Sequence, residues 1–231
     1  MKQISVSLIE KFHRMLVGEF SWETEAGFLD ALKGIRTTGE KAMVGTSCHS
    51  IIEGNFVQDQ NTGYAMTEND GIKFEFTPDQ VEMLQSVIPA YSRPTTHFEL
   101  PMHGHYKVQG EEIAVSMRLD AFDGIIIHDF KFTFSSPGDF SKWTESLQWR
   151  YYLDVTGNEI FMYHVGEVKG FKSISETPNA VLNILKPVPL ALYRYPELHT
   201  DVVGPLSECI KYLKERDLMK YLKEEVEYLP F

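Results

Sequence analysis

The order of apolar and polar residues along this chain predicts helices and strands that alternate. Residues at helical spacing predict helices over 5–17, 23–32, 43–56, 77–88 and 142–155, and a C-terminal helix that starts at Pro205. Runs rich in β-branched and aromatic residues predict strands over 72–76, 95–108, 114–119, 125–132 and 160–165. The three central strands form an antiparallel meander, and the last strand returns parallel to its neighbour after a helix. We therefore predict an α/β (α+β) fold in which helices flank a mixed central sheet.

The strongest turn signal in the chain is Asp123-Gly124, which lies between two apolar runs. A two-residue turn there would place Asp120 opposite Ile127, so that Asp120 and Asp129 become diagonal neighbours. Diagonal neighbours lie roughly 7–8 Å apart between their α-carbons, close enough for two carboxylates to bind one cation. A longer loop would change this register and with it the face that each acid occupies.

Lys131 follows Asp129 by two residues, so strand alternation places both on one face while Phe130 and Phe132 turn to the other. A structural ion pair on a solvated strand is the ordinary explanation of such a pattern. Residues 125–127, however, are apolar without alternation, as in a strand that is covered on both faces. Charges at the end of a buried strand are costly unless they are paired or bind a metal, which favours a functional site.

Length and composition fit one domain over residues 1–231. The chain has 231 residues, of which 43% are hydrophobic, enough to bury a full core. We expect a core at about 43–165, with the N-terminal helices in 1–42 and a C-terminal extension in 166–231 as accessories. No run approaches the roughly 18 apolar residues of a membrane span, and the first residues lack the hydrophobic region of a signal peptide. We therefore expect a cytoplasmic protein with no membrane partner.

The net charge of −11 argues against a general surface for polyanions. A local basic groove remains compatible with this charge. Its candidate residues are Arg93, Arg118, Lys142, Arg150, Lys169 and Lys172. Cys48 and Cys209 cannot supply the thiolates of an iron–sulfur cluster, so we expect no such cluster and two reduced, buried thiols.

Two pairs of residues stand four apart on predicted helices and so share a helix face. His49 and Glu53 form the first pair, and Gln148 and Tyr152 form the second. A histidine near the start of a helix is usually a capping or half-buried residue, but with a carboxylate one turn away it can also present a nitrogen ligand to a metal.

Three histidines on the predicted strand 95–108 offer a different metal site. His103 and His105 share one strand face, and His97 precedes them. Surface histidines on an edge strand are the ordinary explanation. The alternative is a cupin-like metal enzyme, although the later histidine and glycine pattern of such barrels is missing.

Four motifs follow one another in a fixed order, namely Gly-Thr-Ser-Cys-His49-Ser-Ile-Ile-Glu53, Arg-Leu-Asp120, Ile-Ile-Ile-His-Asp129-Phe-Lys131 and Gln148-x-x-x-Tyr152. Each is common by chance, whereas all four in order, on a helix, two strands and a following helix, are much less so. The order resembles the PD-(D/E)XK nuclease superfamily, and within it the RecB-type and phage exonuclease branch. The resemblance covers about residues 43–165 and implies a restriction-endonuclease-like core.

By this resemblance, the metal ligands are His49, Asp120, Asp129 and the backbone carbonyl of Phe130. Asp120 and Asp129 are also catalytic, together with Lys131 as the catalytic lysine.

The resemblance further implies that Gln148 and Tyr152 orient the lysine or contact the nucleic acid backbone, with Glu53 as an outer member of the site. The chain departs from the branch at residues 117–120, where Met-Arg-Leu-Asp replaces Gly-x-x-Asp, and in lacking the four-cysteine cluster of some relatives.

The implied function is a metal-dependent nuclease that hydrolyses DNA phosphodiester bonds, as an exonuclease in phage-type or bacterial DNA recombination or repair. One or two Mg²⁺ or Mn²⁺ ions would generate a hydroxide and stabilise the charge that builds on the phosphate. The substrate would be linear duplex or single-stranded ends, in the host cytoplasm if a phage encodes the protein. A homo-oligomer and a recombination partner protein stay open. The main alternative is a catalytically silent nucleic-acid-binding or scaffolding relative, and a cupin-like enzyme ranks third.

Overall fold

The structure, a computed structural model, describes residues 1–18, 23–35, 39–134, 140–173 and 182–225. Its helices are α1 (Val6–Val17), α2 (Glu25–Leu32), α3 (Glu40–Glu53), α4 (Pro78–Gln85), α5 (Ser141–Thr144), α6 (Leu147–Thr156) and α7 (Leu198–Glu215). Its strands are β1 (Lys2–Ser5), β2 (Val57–Gln58), β3 (Ala65–Asn69), β4 (Ile72–Phe76), β5 (His97–Val108), β6 (Glu111–Phe122), β7 (Ile126–Thr133), β8 (Ile160–Lys169), β9 (Asn183–Ile184), β10 (Val188–Tyr193) and β11 (Lys223–Glu224). Short 3₁₀ turns lie at Arg93–Thr95 and Met219–Tyr221.

One mixed sheet organises the molecule. Its strand order is β10-β8-β7-β6-β1-β11, with β5 paired to β6 and β9 paired to β8. Strands β5, β6 and β7 form the predicted antiparallel meander, and β8 lies parallel to β7 as predicted. Strand β1 was not predicted, and it lies parallel to β6 inside the sheet. Strands β2, β3 and β4 form a separate small sheet.

Helices cover the main sheet on both faces. One hydrophobic cluster packs α1, α6 and α7 against the sheet and includes Phe12, Tyr151 and Ile210. A second cluster packs α3 and α4 and includes Ile51 and Leu84. Side chains of β7 enter both clusters, which is why this strand is apolar without alternation.

Capping residues define the starts of two predicted helices. The Ser5 hydroxyl accepts a hydrogen bond from Leu8 N at 3.3 Å and so caps α1. Thr77 and Gln80 form a reciprocal capping box with Pro78 at the first helical position of α4. These contacts join residues at most three apart, so the sequence specifies them without help from the rest of the fold.

Helix boundaries differ from the prediction by up to three residues at α3 and α4, and two other helices differ more. The C-terminal helix starts at Leu198, and Pro205 lies inside it. Gly204 has no Cβ, which removes the clash that a preceding side chain makes with a proline ring. The predicted helix over 142–155 is interrupted at Ser146, whose hydroxyl accepts from Gln148 N at 3.1 Å and starts α6 anew.

The turn between β6 and β7 is longer than the predicted two residues. The Asp123 carboxylate accepts a hydrogen bond from Ile126 N at 2.8 Å, and Asp123 N–H donates to Ile126 O at 3.3 Å. Phe122 therefore pairs with Ile127, whereas the prediction paired Asp120 with that isoleucine. The register differs by two residues, and an even shift keeps each β7 side chain on its predicted face.

Candidate metal centre

The candidate site lies where β6 and β7 separate beyond the Ala121–His128 pair. There the side chain of Asp120 replaces a backbone acceptor, because its Oδ2 accepts from Phe130 N–H at 2.9 Å. The alternation of β6 also changes at this point. Leu119 packs in the first cluster, and Ala121, two residues later, packs in the second. Asp120 thus holds β7 in place and reaches the gap between the two strands.

Asp129 is fully buried and is held by one ion pair and one hydrogen bond. Lys131 Nζ lies 2.5 Å from Asp129 Oδ1, and Gln148 Nε2 donates to Asp129 Oδ2 at 2.6 Å. Gln148 also lies 3.0 Å from the Tyr152 hydroxyl, which donates to Arg118 O at 2.9 Å. Gln148 therefore contacts Asp129, the partner of Lys131, and Tyr152 in turn contacts Gln148.

His49 reaches the same place from α3. Its Nε2 lies 2.8 Å from the Phe130 carbonyl oxygen, and its Nδ1 lies 3.7 Å from Asp120 Oδ2. Because a carbonyl only accepts, Nε2 carries the proton and Nδ1 has a free lone pair. Glu53, one turn later on α3, lines the same cavity as His49 and accepts a hydrogen bond from Asn55 at 2.8 Å. The five predicted ligand and catalytic residues thus lie together, with Glu53 at the periphery.

Glu99 on β5 is a site residue that the sequence analysis missed. His49, Glu99 and Asp120 present ligand atoms within 4.8 Å of one another. Glu99 has a φ of +52°, which is unusual for a residue with a side chain, and it pairs with Arg118 Nη1 at 2.9 Å. Strained backbone of this kind concentrates at functional sites.

A sequence signal for Glu99 exists in the β5–β6 turn. Gln109 and Gly110 both have positive φ, at 51° and 76°, and Val108 pairs with Glu111 across them. This is the two-residue turn that hairpins favour. Extending its register along β5 and β6 brings Glu99 opposite Asp120.

Burial shifts the pKa values of the ionisable groups at the site. Burial, and after it the charge of Asp120, raises the pKa of Asp129 to about 7. Burial also raises the pKa of Asp120. Burial by itself lowers the pKa of Lys131, but the charges of Asp129 and Asp120 outweigh it and raise that pKa. Burial lowers the pKa of His49, as does the positive charge of Lys131, which favours the neutral imidazole that binds metals.

Two cavities give solvent access to the site. One of about 860 Å³ is lined by Asp120, Lys131 and Gln148, and another of about 590 Å³ by His49 and Glu53. Asp120 and Lys131 line both cavities. A phosphodiester in either cavity can therefore approach the lysine and the acid together.

The predicted basic residues do not form one groove. Arg118 lines both cavities at the site. Arg93 donates to the backbone carbonyls of Gln85, at 3.2 Å, and of Ile52, and thereby ties α3 to α4. Arg150 donates to Ser146 O at 2.9 Å, at the start of α6. These two arginines stabilise the fold.

The histidines of β5 do not converge on a metal site of their own. His103 Nδ1 and His105 Nε2 lie 3.6 and 2.6 Å from Glu225 Oε1, and His97 lies at the opposite end of the strand, paired with Phe122. Among the described residues, the group that meets the geometry of a metal site is instead His49, Glu99 and Asp120. The arrangement of His97, His103 and His105 gives no support to the cupin-like alternative.

The donor set around Asp120 fits a divalent cation. Ligands at neighbouring corners of an octahedral ion lie roughly 3 Å apart, and His49 Nδ1, which has the free lone pair, lies 3.7 Å from Asp120 Oδ2. Buried acids of like charge repel each other, and a cation between them relieves this repulsion. Carboxylate and carbonyl oxygens suit Mg²⁺ and Mn²⁺, and the imidazole adds a softer donor that favours Mn²⁺. His49, Glu99 and Asp120 present ligand atoms close enough together to share one such ion.

No protein-family model matches this sequence, and none of the curated proteins is detectably similar to it. The chain is similar in structure to a protein from Eubacterium rectale that is provisionally described as an exonuclease. The TM-score is 0.51 at 12% sequence identity, over 100% of this chain and 91% of the other. The crystal structure of a protein named SSO0001 gives a TM-score of 0.49 at 12% identity, over 92% of this chain and 77% of that one.

At this identity, the first similarity shows a shared fold. The predicted fold class, a restriction-endonuclease-like α/β core with a mixed central sheet between helices, is confirmed. None of the described helices combines the length and apolarity that crossing a membrane requires.

Proposed function

We propose that this protein is a metal-dependent nuclease of the PD-(D/E)XK superfamily, in its RecB-type and phage exonuclease branch. It hydrolyses DNA phosphodiester bonds with Mg²⁺ or Mn²⁺ and acts on ends, in DNA recombination or repair. The observation that carries the proposal is the meeting of His49, Asp120, Asp129, Lys131 and the Phe130 carbonyl at one gap in the sheet, beside solvent-accessible cavities. These residues come from three separate elements.

The chemistry divides between the cation and the protein. When bound, Mg²⁺ or Mn²⁺ lowers the pKa of a coordinated water and stabilises charge on the phosphate oxygens. Asp120 and Asp129 hold the ion and keep their geometry through Phe130 N–H and Gln148. Lys131 places its positive charge where the attacked phosphate gains negative charge. Asp129 keeps this lysine protonated and pointed into the site.

A digestion experiment tests the proposal. End-labelled linear duplex and covalently closed circular duplex are incubated with Mg²⁺ or Mn²⁺, with EDTA as the metal-free control. We expect loss of linear DNA from its ends, resistance of the circle, and no cleavage in EDTA. Cleavage of the circle would show an endonuclease, and binding without any cleavage would favour the silent nucleic-acid-binding relative.

Lys131→Ala should reduce the cleavage rate by about 10²–10³-fold, the usual cost of removing one group that stabilises transition-state charge. Asp120→Asn, which keeps the side-chain shape, should reduce it comparably. Lys107→Ala removes an exposed strand lysine and is the matched control, for which we expect the wild-type rate. Circular dichroism of each variant checks the fold. A folded Lys131→Ala protein with full activity would contradict the proposed role.

A further inference from the structure

A third cavity adjoins the 860 Å³ cavity of the candidate site, beside the start of α1. It measures about 620 Å³ and shares five lining residues with the 860 Å³ cavity that holds Asp120 and Lys131. The shared residues are Gln3, Ser5, Ser7, Ser116 and Lys223. The two cavities therefore adjoin along these residues, and we call the 620 Å³ cavity the α1 groove. Polar hydroxyl and amide groups line the junction.

The α1 groove is locally basic in a protein of net charge −11. Its lining includes Lys11, Lys33 and Lys223 and no carboxylate. Lys11 is paired with Glu23 at 2.8 Å. Lys33 and Lys223 form no ion pair within the part of the chain that the structure describes, so their charges face the groove uncompensated. A lysine-lined groove that leads to a phosphodiesterase centre matches the charge of a nucleic acid backbone.

An aromatic ring lines the part of the α1 groove that is not shared with the 860 Å³ cavity. Tyr221, in the 3₁₀ turn before β11, lines the groove and is 41% exposed, unlike most aromatic residues of the described chain. Lys33 Nζ and Lys220 Nζ each lie 5.8 Å from the centroid of its ring. A solvent-accessible ring beside lysines is the combination that binds single-stranded nucleic acids, because every base has a face that can stack.

We propose that the α1 groove binds one unpaired strand of the nucleic acid whose phosphodiester lies at Lys131. This inference rests on the proposed nuclease function and specifies its substrate as a single strand, or a duplex end that has separated. Lys33 and Lys223 contact backbone phosphates, and Tyr221 stacks on a base. A paired duplex lacks the free base face that stacking requires, so the groove distinguishes single strands from duplex.

Binding is tested separately from cleavage. The Lys131→Ala protein, in EDTA, is titrated into fluorescent single-stranded DNA of increasing length. Fluorescence anisotropy gives the dissociation constant for each length. We expect affinity to rise with length until the strand fills the α1 groove, and blunt duplex of equal length to bind more weakly. Equal or tighter binding of the duplex would overturn the inference.

Variants in the same background locate the strand. Tyr221→Ala should weaken binding about tenfold through lost stacking. Lys33→Gln should lower the slope of log affinity against log salt by about 0.7, the value for one phosphate contact on a single strand. Lys211→Gln, at an exposed lysine of α7 outside the groove, is the control and should leave both quantities unchanged.

The outcomes separate the two proposals. Unchanged binding in both Tyr221→Ala and Lys33→Gln would overturn the groove even if wild-type protein cleaves DNA. Groove-dependent binding together with failure of wild-type protein to cleave any DNA would support the groove and contradict the nuclease function.

Discussion

At the scale of single residues, the candidate site depends on a side chain that its strand holds in an unusual conformation. Glu99 has a left-handed backbone near the start of β5. Its carboxylate lies close to His49 and Asp120 and pairs with Arg118. Left-handed backbone costs energy for a residue with a Cβ, so the surrounding structure must compensate. We infer that this conformation is retained because it places a third carboxylate beside Asp120.

Replacement of Glu99 tests this explanation. Glu99→Gln keeps the size of the side chain and removes its charge, so we expect Mn²⁺ affinity to fall by at least about tenfold, because loss of a ligand charge should cost no less than loss of an outer partner of a ligand. Calorimetric titration with Mn²⁺ measures the affinity. Glu112→Gln, at an exposed position of β6, is the matched control. Equal Mn²⁺ affinity in Glu99→Gln and wild type would show that Glu99 only pairs with Arg118.

At the scale of elements, the parallel pairing with β8 fixes the position of β7, the strand that carries Asp129 and Lys131. Gly166 on β8 is the partner of Phe132 on β7, and a Cβ at Gly166 would lie 2.7 Å from the Phe132 ring. The ring lies over the glycine, directly after Lys131. This contact fixes the end of β7, because an aromatic ring in a packed sheet cannot shift cheaply.

Gly166→Ala should therefore lower the free energy of unfolding by about 1–3 kcal/mol, the usual cost of overpacking. Gly45→Ala in α3 is the matched comparison, because a Cβ there meets no atom within 4 Å. In a helix interior the same change should raise stability by up to about 1 kcal/mol. Urea unfolding of both variants measures the difference. A stability of Gly166→Ala at or above that of wild type would show that Phe132 moves freely.

At the scale of the whole molecule, the two ends of the chain meet in the main sheet. Strand β1 lies between β6 and β11, and one cluster contains Phe12 of α1, Leu119 of β6 and Leu213 of α7. We propose that the chain folds as one domain, in which the N- and C-terminal segments support the site-bearing core.

One cooperative unfolding transition is the expected result. In a Trp22→Phe protein, the remaining Trp143 and Trp149 report on the region around α5 and α6 through fluorescence, while far-ultraviolet circular dichroism reports on the helices throughout. If the chain is one domain, the two signals should give the same urea midpoint. Separate midpoints would show that the terminal segments unfold independently of the core.

The sequence by itself determined the local features of this protein. Caps and turns such as those at Ser5, Thr77 and Gln109 join neighbours in the chain. The placement of Asp129 and Lys131 on one face follows from strand alternation alone. The order of these elements was enough to predict the mixed sheet, whereas the residues around Asp120 were expected from the resemblance of the four motifs to a known family, and Glu99 was not among them.

The tertiary structure alone decided how distant residues meet. The carboxylate of Asp123 lengthened its turn, and the register of β6 and β7 moved by two residues. The contact of His49 with the Phe130 carbonyl joins residues that are far apart in the chain, and so does the α1 groove, which Ser5 and Tyr221 both line. Such contacts depend on packing and register over the whole sheet, and local periodicity carries no information about them.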